Sequence, residues 1–334
     1  MSERDRATEE FLSRAGWQAA VRGPLAGDAS FRRYERLEMA GKRAVLMDAP
    51  PPTEDIRPFM AIADTLRALG LSAPEIFFAD EAAGFLLLED FGDATYTRIL
   101  KTCGEDEALY RLAVDALAHL HDKFEDKCGA PLYDDSALLS EARLLTDWYM
   151  PAVFGEDTSS SQIAAYEDAW RSVFPIARAV PSSLVLRDFH VDNLIRLDDR
   201  PGVAACGLLD FQDAMIGPVS YDLVSLFEDA RRDVPPDLTQ KLISHYLATF
   251  PSLDRDALMA SYAVLGAQRS AKILGIFTRL DRRDGKPVYL PHIARVWRWL
   301  EGDLTHTELA PVKAWFDENL PPERRTVPEP VTLS

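Results

Sequence analysis

Two apolar stretches of this chain each lead into an aspartate, and this pattern constrains the fold more than any other feature. Residues 183–186 precede Asp188, which Asn193 follows five residues later, and residues 207–209 precede Asp210. Phosphoryl transfer from ATP uses one carboxylate to position the attacking hydroxyl, and an amide oxygen and a second carboxylate to hold Mg²⁺ on the phosphates. The pattern therefore predicts Asp188 as the catalytic aspartate and Asn193 and Asp210 as metal ligands.

A purely structural interpretation exists for each of these residues taken alone. Asp and Asn are frequent in the turns that follow short strands. Two aspartates that each follow an apolar strand, with an asparagine between them, are typical of the catalytic and metal-binding loops of kinases. The combination favours a phosphotransferase with ATP and Mg²⁺ as cofactors.

The order of predicted elements indicates an α+β protein with two lobes. Residues 1–90 predict a small, mostly antiparallel sheet with an inserted helix, which would carry the nucleotide phosphate loop and a hinge strand. Residues 91–320 predict a larger, mainly helical lobe with the catalytic loop and the substrate site, and residues 321–334 a proline-rich extended tail. The cleft between two such lobes is the expected ligand site. The predicted helices cover 5–20, 56–69, 107–124, 137–149, 162–179, 221–229, 238–250, 256–277 and 292–300, and the predicted strands of the small lobe cover 34–37, 44–47, 76–79 and 85–89.

Charge and hydropathy narrow the class of partner. The net charge of −17 argues against nucleic acid, whose phosphates would be repelled. No apolar run approaches the roughly 20 residues that span a bilayer, and residues 1–6 lack the apolar segment of a secretory signal. The three cysteines are too widely spaced for a disulfide framework or a metal site. We therefore expect a cytoplasmic monomer that acts on a small molecule and has no membrane or nucleic-acid partner.

Residues 27–34 lie where a loop covering the nucleotide phosphates would be needed, between the first two strands. Small residues there let backbone N–H groups approach the phosphates, and Ser30 adds a hydroxyl. The segment lacks the G-x-G-x-x-G pattern, and a plain hairpin loop is the alternative interpretation. On the phosphate-loop interpretation, Ser30, Phe31, Arg32 and Arg33 contact ATP.

The next strand departs from the general kinase pattern at Met47. A kinase usually carries a lysine at this place, which contacts the α- and β-phosphates. Met47 can pack against the base or the ribose of ATP but offers no charge. Arg32 or Arg33 is the candidate replacement cation, although both also fit as solvated strand residues.

Residues 86–92 predict an edge strand that runs into the connection between the lobes. Backbone groups at this place in a kinase bind the edge of the adenine, so Glu89 and Phe91 are assigned to the ATP site. A buried strand that ends in a turn is the structural alternative, and it is compatible with the same assignment.

Four further residues are candidates for substrate binding. His190 lies inside the catalytic loop, where it would touch substrate or hold the loop in place. Asp213 follows the second metal ligand by three residues and could reach substrate or metal. Arg269 and Lys272 share one face of a predicted helix, where they would suit an anionic group on the substrate or would face solvent.

Taken together, these motifs resemble the aminoglycoside phosphotransferase-like kinase family. The matching stretches are residues 186–193, in which Leu-Arg-Asp stands where the family usually has His-Gly-Asp, residues 209–213, and Gly217-Pro218 with Tyr221-Asp222-Leu223. The resemblance implies a protein-kinase-like two-lobed fold, with a small antiparallel-sheet lobe followed by a larger helical one.

A narrower group is also similar, the bacterial N-acetylmuramate/N-acetylglucosamine anomeric kinases of cell-wall recycling. The features in common are residues 27–34, residues 46–51, the Leu-Arg-Asp form of the catalytic loop and the overall length. This likeness implies transfer of the γ-phosphoryl group of ATP to the C1 hydroxyl of an amino sugar, which gives a sugar 1-phosphate in peptidoglycan recycling. It also makes Met47 a trait of the group.

Two other functions stay open at this point. One is a phosphotransferase for an aminoglycoside or another small alcohol, whose cationic substrates would suit an acidic cleft. The other is a catalytically silent nucleotide-binding regulator, which Met47 suggests and which the complete set of Asp188, Asn193 and Asp210 argues against. The preferred sugar, its anomer and the choice between ATP and GTP are not determined by these motifs.

Overall fold

The computed structural model describes residues 2–25, 32–102, 106–126 and 128–331 of the chain. Its helices are α1 (Glu3–Arg14), α2 (Arg57–Ala68), α3 (Tyr96–Thr102), α4 (Asp106–Lys123), α5 (Asp135–Ala142), α6 (Met150–Phe154), α7 (Ser160–Ala177), α8 (Ser220–Phe227), α9 (Pro236–Thr249), α10 (Arg255–Arg282), α11 (Ile293–Asp303) and α12 (Ala310–Asn319). Its strands are β1 (Val21–Pro24), β2 (Arg33–Met39), β3 (Lys42–Asp48), β4 (Ile76–Asp80), β5 (Phe85–Leu88), β6 (Ser182–Val185), β7 (Leu194–Arg196), β8 (Cys206–Leu208) and β9 (Met215–Pro218).

The chain divides into two compact units. Unit 1 comprises residues 1–130 and 191–214, and unit 2 comprises residues 131–190 and 215–334. One chain crossing between the units falls directly after His190, inside the predicted catalytic loop. The functional division predicted from sequence, at residues 90 and 320, stays a prediction.

Unit 1 is built around a five-stranded sheet in the order β1-β2-β3-β5-β4, with antiparallel neighbours. Ala40 and Gly41 both adopt positive φ, as the tight turn between β2 and β3 requires. Side chains alternate across a strand, so Leu46 and Phe85 lie on one face of the sheet, where they form a core cluster with Phe11 of α1. The opposite face of the same sheet carries Val45, Met47 and Leu88.

Unit 2 is organised around α10, a helix of 28 residues. Its side chains are buried along most of its length, so it is a core helix without a broad solvent-facing stripe. Gly275 allows the backbone to pack closely, because a Cβ there would lie 2.2 Å from the carbonyl carbon of Leu144. The antiparallel pair of β6 and β9 lies in the same unit and leads directly into α8.

Most predicted elements are confirmed within a few residues, and the differences are local. The strand predicted to lie at an edge of the sheet, β5, lies between β3 and β4. The helix predicted over 5–20 ends at Arg14, because Gly16 takes a positive φ and β1 follows. The helix predicted over 137–149 is interrupted after α5, and a π-helical turn covers Leu145–Tyr149. The sequence pattern does not predict helices α3, α6 and α12, which the structure contains.

The predicted tail packs onto unit 2 as far as the structure describes it. The hydroxyl of Tyr149 donates to the carbonyl of Thr326 at 2.7 Å. Arg325 forms ion pairs with Glu301 at 2.9 Å and Asp317 at 3.1 Å. The segment begins with a 3-10 turn at Pro322–Arg324, unlike the extended tail predicted, and side chains of the helical unit hold it. None of the helices in the described ranges has the length and apolar character needed to span a membrane.

Candidate active site

The loop that carries Asp188 follows β6 in unit 2 and is held by Asp222 of α8. The backbone N–H groups of Leu186 and Arg187 donate to the Asp222 carboxylate at 2.7 and 2.9 Å. Arg187 has a positive φ of 69°, a strained conformation for a residue with a side chain. The two hydrogen bonds offset this strain and fix the direction of the chain as it enters Asp188.

Asp188 lies in a strongly positive surrounding. Burial acts to raise its pKa, but the positive charges of Lys272, Arg269 and Arg187, with His190 when it is protonated, outweigh burial and hold the pKa below its ordinary value. The side chain is therefore ionised at neutral pH. A carboxylate in this state can accept a hydrogen bond, and then a proton, from a hydroxyl group.

Glu141 of α5 organises the cations of this region. Its carboxylate accepts from Lys272 Nζ at 3.0 Å and Gln268 Nε2 at 3.4 Å, and it also accepts from Arg187 and from the hydroxyl of Tyr133. Burial acts to raise the pKa of Glu141, but Lys272 and Arg187 hold it below its ordinary value. The ionised carboxylate thus fixes two of the cations that act on the catalytic loop.

The predicted pair on α10 is buried, so the solvent-facing alternative does not hold. Arg269 is 6% and Lys272 9% exposed. Arg269 Nη2 donates to the Ser225 hydroxyl at 2.9 Å, and that hydroxyl donates to the Arg187 carbonyl at 3.1 Å. Both cations therefore belong to the hydrogen-bond network around the loop that carries Asp188, and their role toward an anionic substrate stays a prediction.

His190 is also buried in unit 2, at 6% exposure. Its backbone N–H donates to the carbonyl of Asp188 at 3.1 Å. Burial lowers the pKa of the imidazole. The negative charge of Asp229 acts to raise this pKa, but burial has the larger effect. The loop-holding and substrate-binding interpretations of His190 are both compatible with this placement.

The predicted metal ligands meet in unit 1 through the β7–β8 hairpin. Leu194 pairs with Leu208, so Asn193 and Asp210 flank the same end of the hairpin. The Asn193 amide Nδ2 lies 3.4 Å from Asp210 Oδ2. Gln212 Nε2 donates to the other Asp210 oxygen at 2.8 Å, a contact that the sequence analysis did not anticipate. Gln212 stands where D-F-G motifs have glycine, and this substitution is the signal that marks it.

The Asn193–Asp210 pair fits a magnesium site that is completed by nucleotide phosphates. In the described part of the chain, no three His, Cys, Asp or Glu side chains are grouped so that they could hold a metal. Mg²⁺ in phosphotransferases is usually bound by one or two carboxylates together with waters and substrate phosphates. An amide and a carboxylate on one hairpin end supply such hard oxygen ligands.

A pocket of about 400 Å³ lies within unit 1. Its lining includes Tyr34 and Val45 from the sheet, residues 88–93, and both Asn193 and Asp210. This volume is in the range of small-molecule sites. The predicted hinge and the predicted metal ligands therefore share one pocket, as a nucleotide site requires.

The two predicted hinge residues, Glu89 and Phe91, line this pocket. The Glu89 carboxylate accepts from Arg200, whose guanidinium also lies 5.1 Å from the Phe91 ring centroid. The backbone N–H of Glu89 donates to the Glu75 carbonyl at 2.8 Å. Their side chains thus have structural partners, and contact with adenine by the main chain stays a prediction.

The other residues predicted to contact ATP differ in burial, and two of them have no described structure. Ser30 and Phe31 lie outside the described residues. Met47 is 1% exposed and pairs with Tyr34 across β2 and β3. Arg32 is half-buried and Arg33 is exposed. Asp213 is also exposed, and its Oδ2 accepts a hydrogen bond from Gln212 Nε2 at 3.3 Å.

The predicted residues thus form two groups, one in each unit. Asp188, His190, Arg269 and Lys272 are collected in unit 2, whereas Asn193, Asp210, Asp213 and the described ATP-site residues are in unit 1. The catalytic loop is the shared segment, because Asp188 and Asn193 are five residues apart along the chain.

Comparison with known proteins agrees with this geometry. The sequence profile of the phosphotransferase enzyme family matches residues 22–260, more than half of the chain. The chain belongs to the phosphotransferase enzyme family. This phosphotransferase is 38% identical to a Caulobacter vibrioides protein named N-acetylmuramate/N-acetylglucosamine kinase, over 97% of this chain and 99% of that protein. A Pseudomonas aeruginosa protein of the same name is 37% identical over 89% of this chain and 88% of its own length.

Solved structures confirm that this phosphotransferase has a protein-kinase-like fold. A choline kinase from Streptococcus pneumoniae superposes with a TM-score of 0.64 at 14% identity, over 91% of this chain and all of that one. The structure of the ternary complex of streptomycin, ATP and APH(2″)-IIa superposes with a TM-score of 0.60 at 15% identity, over 92% of this chain and 98% of that one. The predicted α+β class, with an antiparallel sheet and a mainly helical remainder, is thereby confirmed.

Proposed function

We propose that this phosphotransferase transfers the γ-phosphoryl group of ATP to the C1 hydroxyl of N-acetylmuramate and N-acetylglucosamine. The observation that carries the proposal is the composition of the unit 1 pocket, which combines the hinge segment 88–93 with Asn193 and Asp210. The names of relatives that match nearly the whole chain support the choice of sugars. Phosphorylation at C1 would supply a sugar 1-phosphate for peptidoglycan recycling.

Asp188 is the proposed base. Its pKa lies below the ordinary value because nearby cations outweigh the effect of burial, so it is ionised and can accept the proton of the attacking hydroxyl. A carboxylate with a low pKa is a weak base, and it suits an acidic hydroxyl better than an ordinary alcohol. The anomeric hydroxyl of a sugar is the more acidic kind.

Asn193 and Asp210 are the proposed magnesium ligands. When bound, Mg²⁺ would neutralise charge on the β- and γ-phosphates during transfer. Gln212 Nε2 donates to one Asp210 oxygen at 2.8 Å, which leaves the carboxylate in a defined orientation.

We further propose that the protein acts as a cytoplasmic monomer on these small sugars.

The experiment is an ADP-release assay on the purified chain with N-acetylmuramate, N-acetylglucosamine, glucose and an aminoglycoside, each with ATP and Mg²⁺. We expect turnover with the two N-acetylated sugars and a phosphate on C1 by NMR. Turnover with the aminoglycoside alone would instead establish the small-alcohol alternative. ATP binding without turnover on any acceptor would favour the silent regulator.

A further inference from the structure

We propose that Arg32, held by Glu54, supplies the positive charge on the nucleotide phosphates that a strand lysine supplies in other kinases. The inference rests on the proposed function, because it concerns the ATP of that reaction. It distinguishes between Arg32 and Arg33, which the sequence left as equal candidates. It also assigns a role to Glu54, which no motif had marked.

The first step concerns which face of the sheet each side chain occupies. Tyr34 of β2 pairs with Met47 of β3, and Arg36 pairs with Val45. Tyr34, Arg36 and Val45 all line the pocket of unit 1. Met47, two residues from Val45 along the strand, therefore belongs to the pocket face. The predicted place of the usual lysine is thus on the pocket face of the sheet and carries no charge.

The second step places Arg32 on the same face. It stands two residues before Tyr34, and successive side chains of extended backbone alternate between faces. The side chain of Arg32 is only 12% exposed, whereas Arg33 is exposed. Arg33 therefore points away, and alternation assigns Arg32 to the face of the sheet that carries Met47.

The third step is the partner of Arg32. Its Nε lies 2.9 Å from Glu54 Oε2, and the Glu54 side chain is likewise 12% exposed. Glu54 stands just before α2, the helix that follows β3. In protein kinases the phosphate-binding lysine pairs with a glutamate of the helix after the corresponding strand. The Arg32–Glu54 pair has the same chemistry, with the cation supplied by the neighbouring strand.

The burial of this pair is itself informative. Removing two charges from water costs about as much as their attraction returns, so a nearly buried pair is a poor source of stability. A guanidinium has five N–H donors in a planar fork, which lets one cation contact a carboxylate and a phosphate together. Glu54 would then act as a positioning residue that keeps Arg32 directed into the pocket.

Arg36 of β2 also lines the pocket, but its contacts give it a different role from the one proposed for Arg32. Its Nε lies 2.7 Å from Asp90, and its Nη1 lies 3.0 Å from Asp93. Both carboxylates belong to the hinge segment, so Arg36 ties β2 to the hinge. Arg36 lies in the middle of β2, whereas Arg32 directly precedes the strand, next to the segment predicted to cover the phosphates.

The test compares Arg32→Ala with Arg33→Ala, which removes the same charge from the adjacent residue. Dissociation constants for ATP with Mg²⁺ and for adenosine are measured by calorimetry on both variants and on the unaltered chain. Loss of a charge-assisted phosphate contact should weaken ATP binding by about 10- to 100-fold and leave adenosine binding unchanged. Arg33→Ala should bind both ligands as the unaltered chain does.

Glu54→Gln tests the positioning role. It should weaken ATP binding less than Arg32→Ala and leave adenosine binding and the thermal midpoint nearly unchanged. A purely structural pair would lower the midpoint and affect both ligands equally, which would overturn this part. Met47→Lys added to Arg32→Ala should restore ATP binding in part, and a folded double variant without any recovery would contradict the shared position.

The outcomes separate this inference from the proposed function. If the unaltered chain binds ATP and Arg32→Ala binds it as Arg33→Ala does, only the inference fails. If the chain binds ATP with the expected Arg32 dependence but phosphorylates no sugar, only the substrate assignment fails. A chain that binds no ATP overturns both.

Discussion

Asp222 accepts a hydrogen bond from the backbone N–H of Arg187 at 2.9 Å, one residue before the proposed catalytic aspartate. The acceptor lies on α8 and the donor in the loop after β6, 35 residues apart along the chain. Burial raises the pKa of Asp222 to about 7, against the lowering effect of its two backbone hydrogen bonds. The carboxyl group thus supports the loop, and we predict that it takes no direct part in the chemistry.

Replacing Asp222 separates loop support from catalysis. Asp222→Ala leaves two buried N–H groups without their acceptor, so we expect the free energy of unfolding to fall by about 1–3 kcal/mol. We also expect kcat to fall, because the loop that carries Asp188 loses its support. Asp222→Asn keeps an acceptor oxygen and should lose less. Urea unfolding and steady-state kinetics check this, with the exposed Asp168→Ala as control. Equal effects of the Ala and Asn variants would contradict the model of loop support.

Removing the proposed base should abolish turnover without affecting nucleotide binding. Asp188→Asn keeps the size of the side chain but cannot accept the hydroxyl proton, and general-base loss costs about 10²–10⁴-fold in rate. ADP release measures turnover and calorimetry measures the ATP dissociation constant. Turnover close to that of the unaltered chain would refute the role of Asp188.

The two proposed metal ligands should differ in their response to Mg²⁺. Asp210→Ala removes the charged ligand, and we expect turnover to fall at least 100-fold at every Mg²⁺ concentration. Asn193→Ala removes a neutral ligand and should mainly raise the Mg²⁺ concentration needed for half-maximal rate. A Mg²⁺ titration of turnover checks both, with Asp198→Ala, an exposed aspartate of the same unit, as control. A normal Mg²⁺ response in Asn193→Ala would exclude it as a ligand.

Lys272 should set the acid limb of the pH–rate profile. The pKa of Asp188 is lowered in the fold, so its carboxylate stays charged as the pH falls and is protonated only below its ordinary range. Lys272 exerts the largest of the lowering charges. Lys272→Met should therefore raise the pKa of Asp188 and move the loss of kcat/KM to higher pH. The exposed Lys313→Met serves as control, and an unmoved acid limb would show that Asp188 does not control it.

A buried carboxyl pair in unit 2 should make stability fall as the pH rises. Burial raises the pKa of Glu228 to about 7. It also raises the pKa of Asp303, which is hydrogen-bonded to Glu228. A pKa raised by folding gives stability that is complete below the unfolded value and is lost as the pH passes through the folded value. We expect the free energy of unfolding to decrease as the pH rises from about 4.5, the ordinary value of a glutamate, to about 7, and Glu228→Gln to flatten this decrease. Urea unfolding at several pH values checks it, with exposed Glu318→Gln as the unchanged control.

The local elements of this fold were largely predictable from the sequence, and the exceptions have local causes. The hairpin of β2 and β3 follows from alternating residues around Ala40-Gly41, and α10 follows from its long helical period. The first helix stops early because Gly16 adopts a positive φ. The break after α5 had no comparable sequence signal, because the π-helical turn there forms beside α10, whose Gly275 admits the neighbouring backbone.

The residues of the candidate site likewise fall into those that the sequence predicts and those that it does not. Asp188, Asn193 and Asp210 could be named because the chemistry requires them at fixed places after two strands, all within 23 residues of sequence. Glu141 and Glu54 could not be named, since nothing in their own neighbourhood marks them. Glu141 meets Lys272 across 131 residues, and Glu54 meets Arg32 across 22.

The sequence by itself therefore determined the class of protein and the acids of the proposed site, because spacing along a loop limits where those side chains can go. Only the tertiary structure decided which cations serve them. It placed Lys272 and Arg269 in the buried network around Asp188, and it turned Arg32 inward and Arg33 outward. The reason is physical: the effect of a charge depends on burial and on the distance to its partners, and both arise only when remote segments pack together.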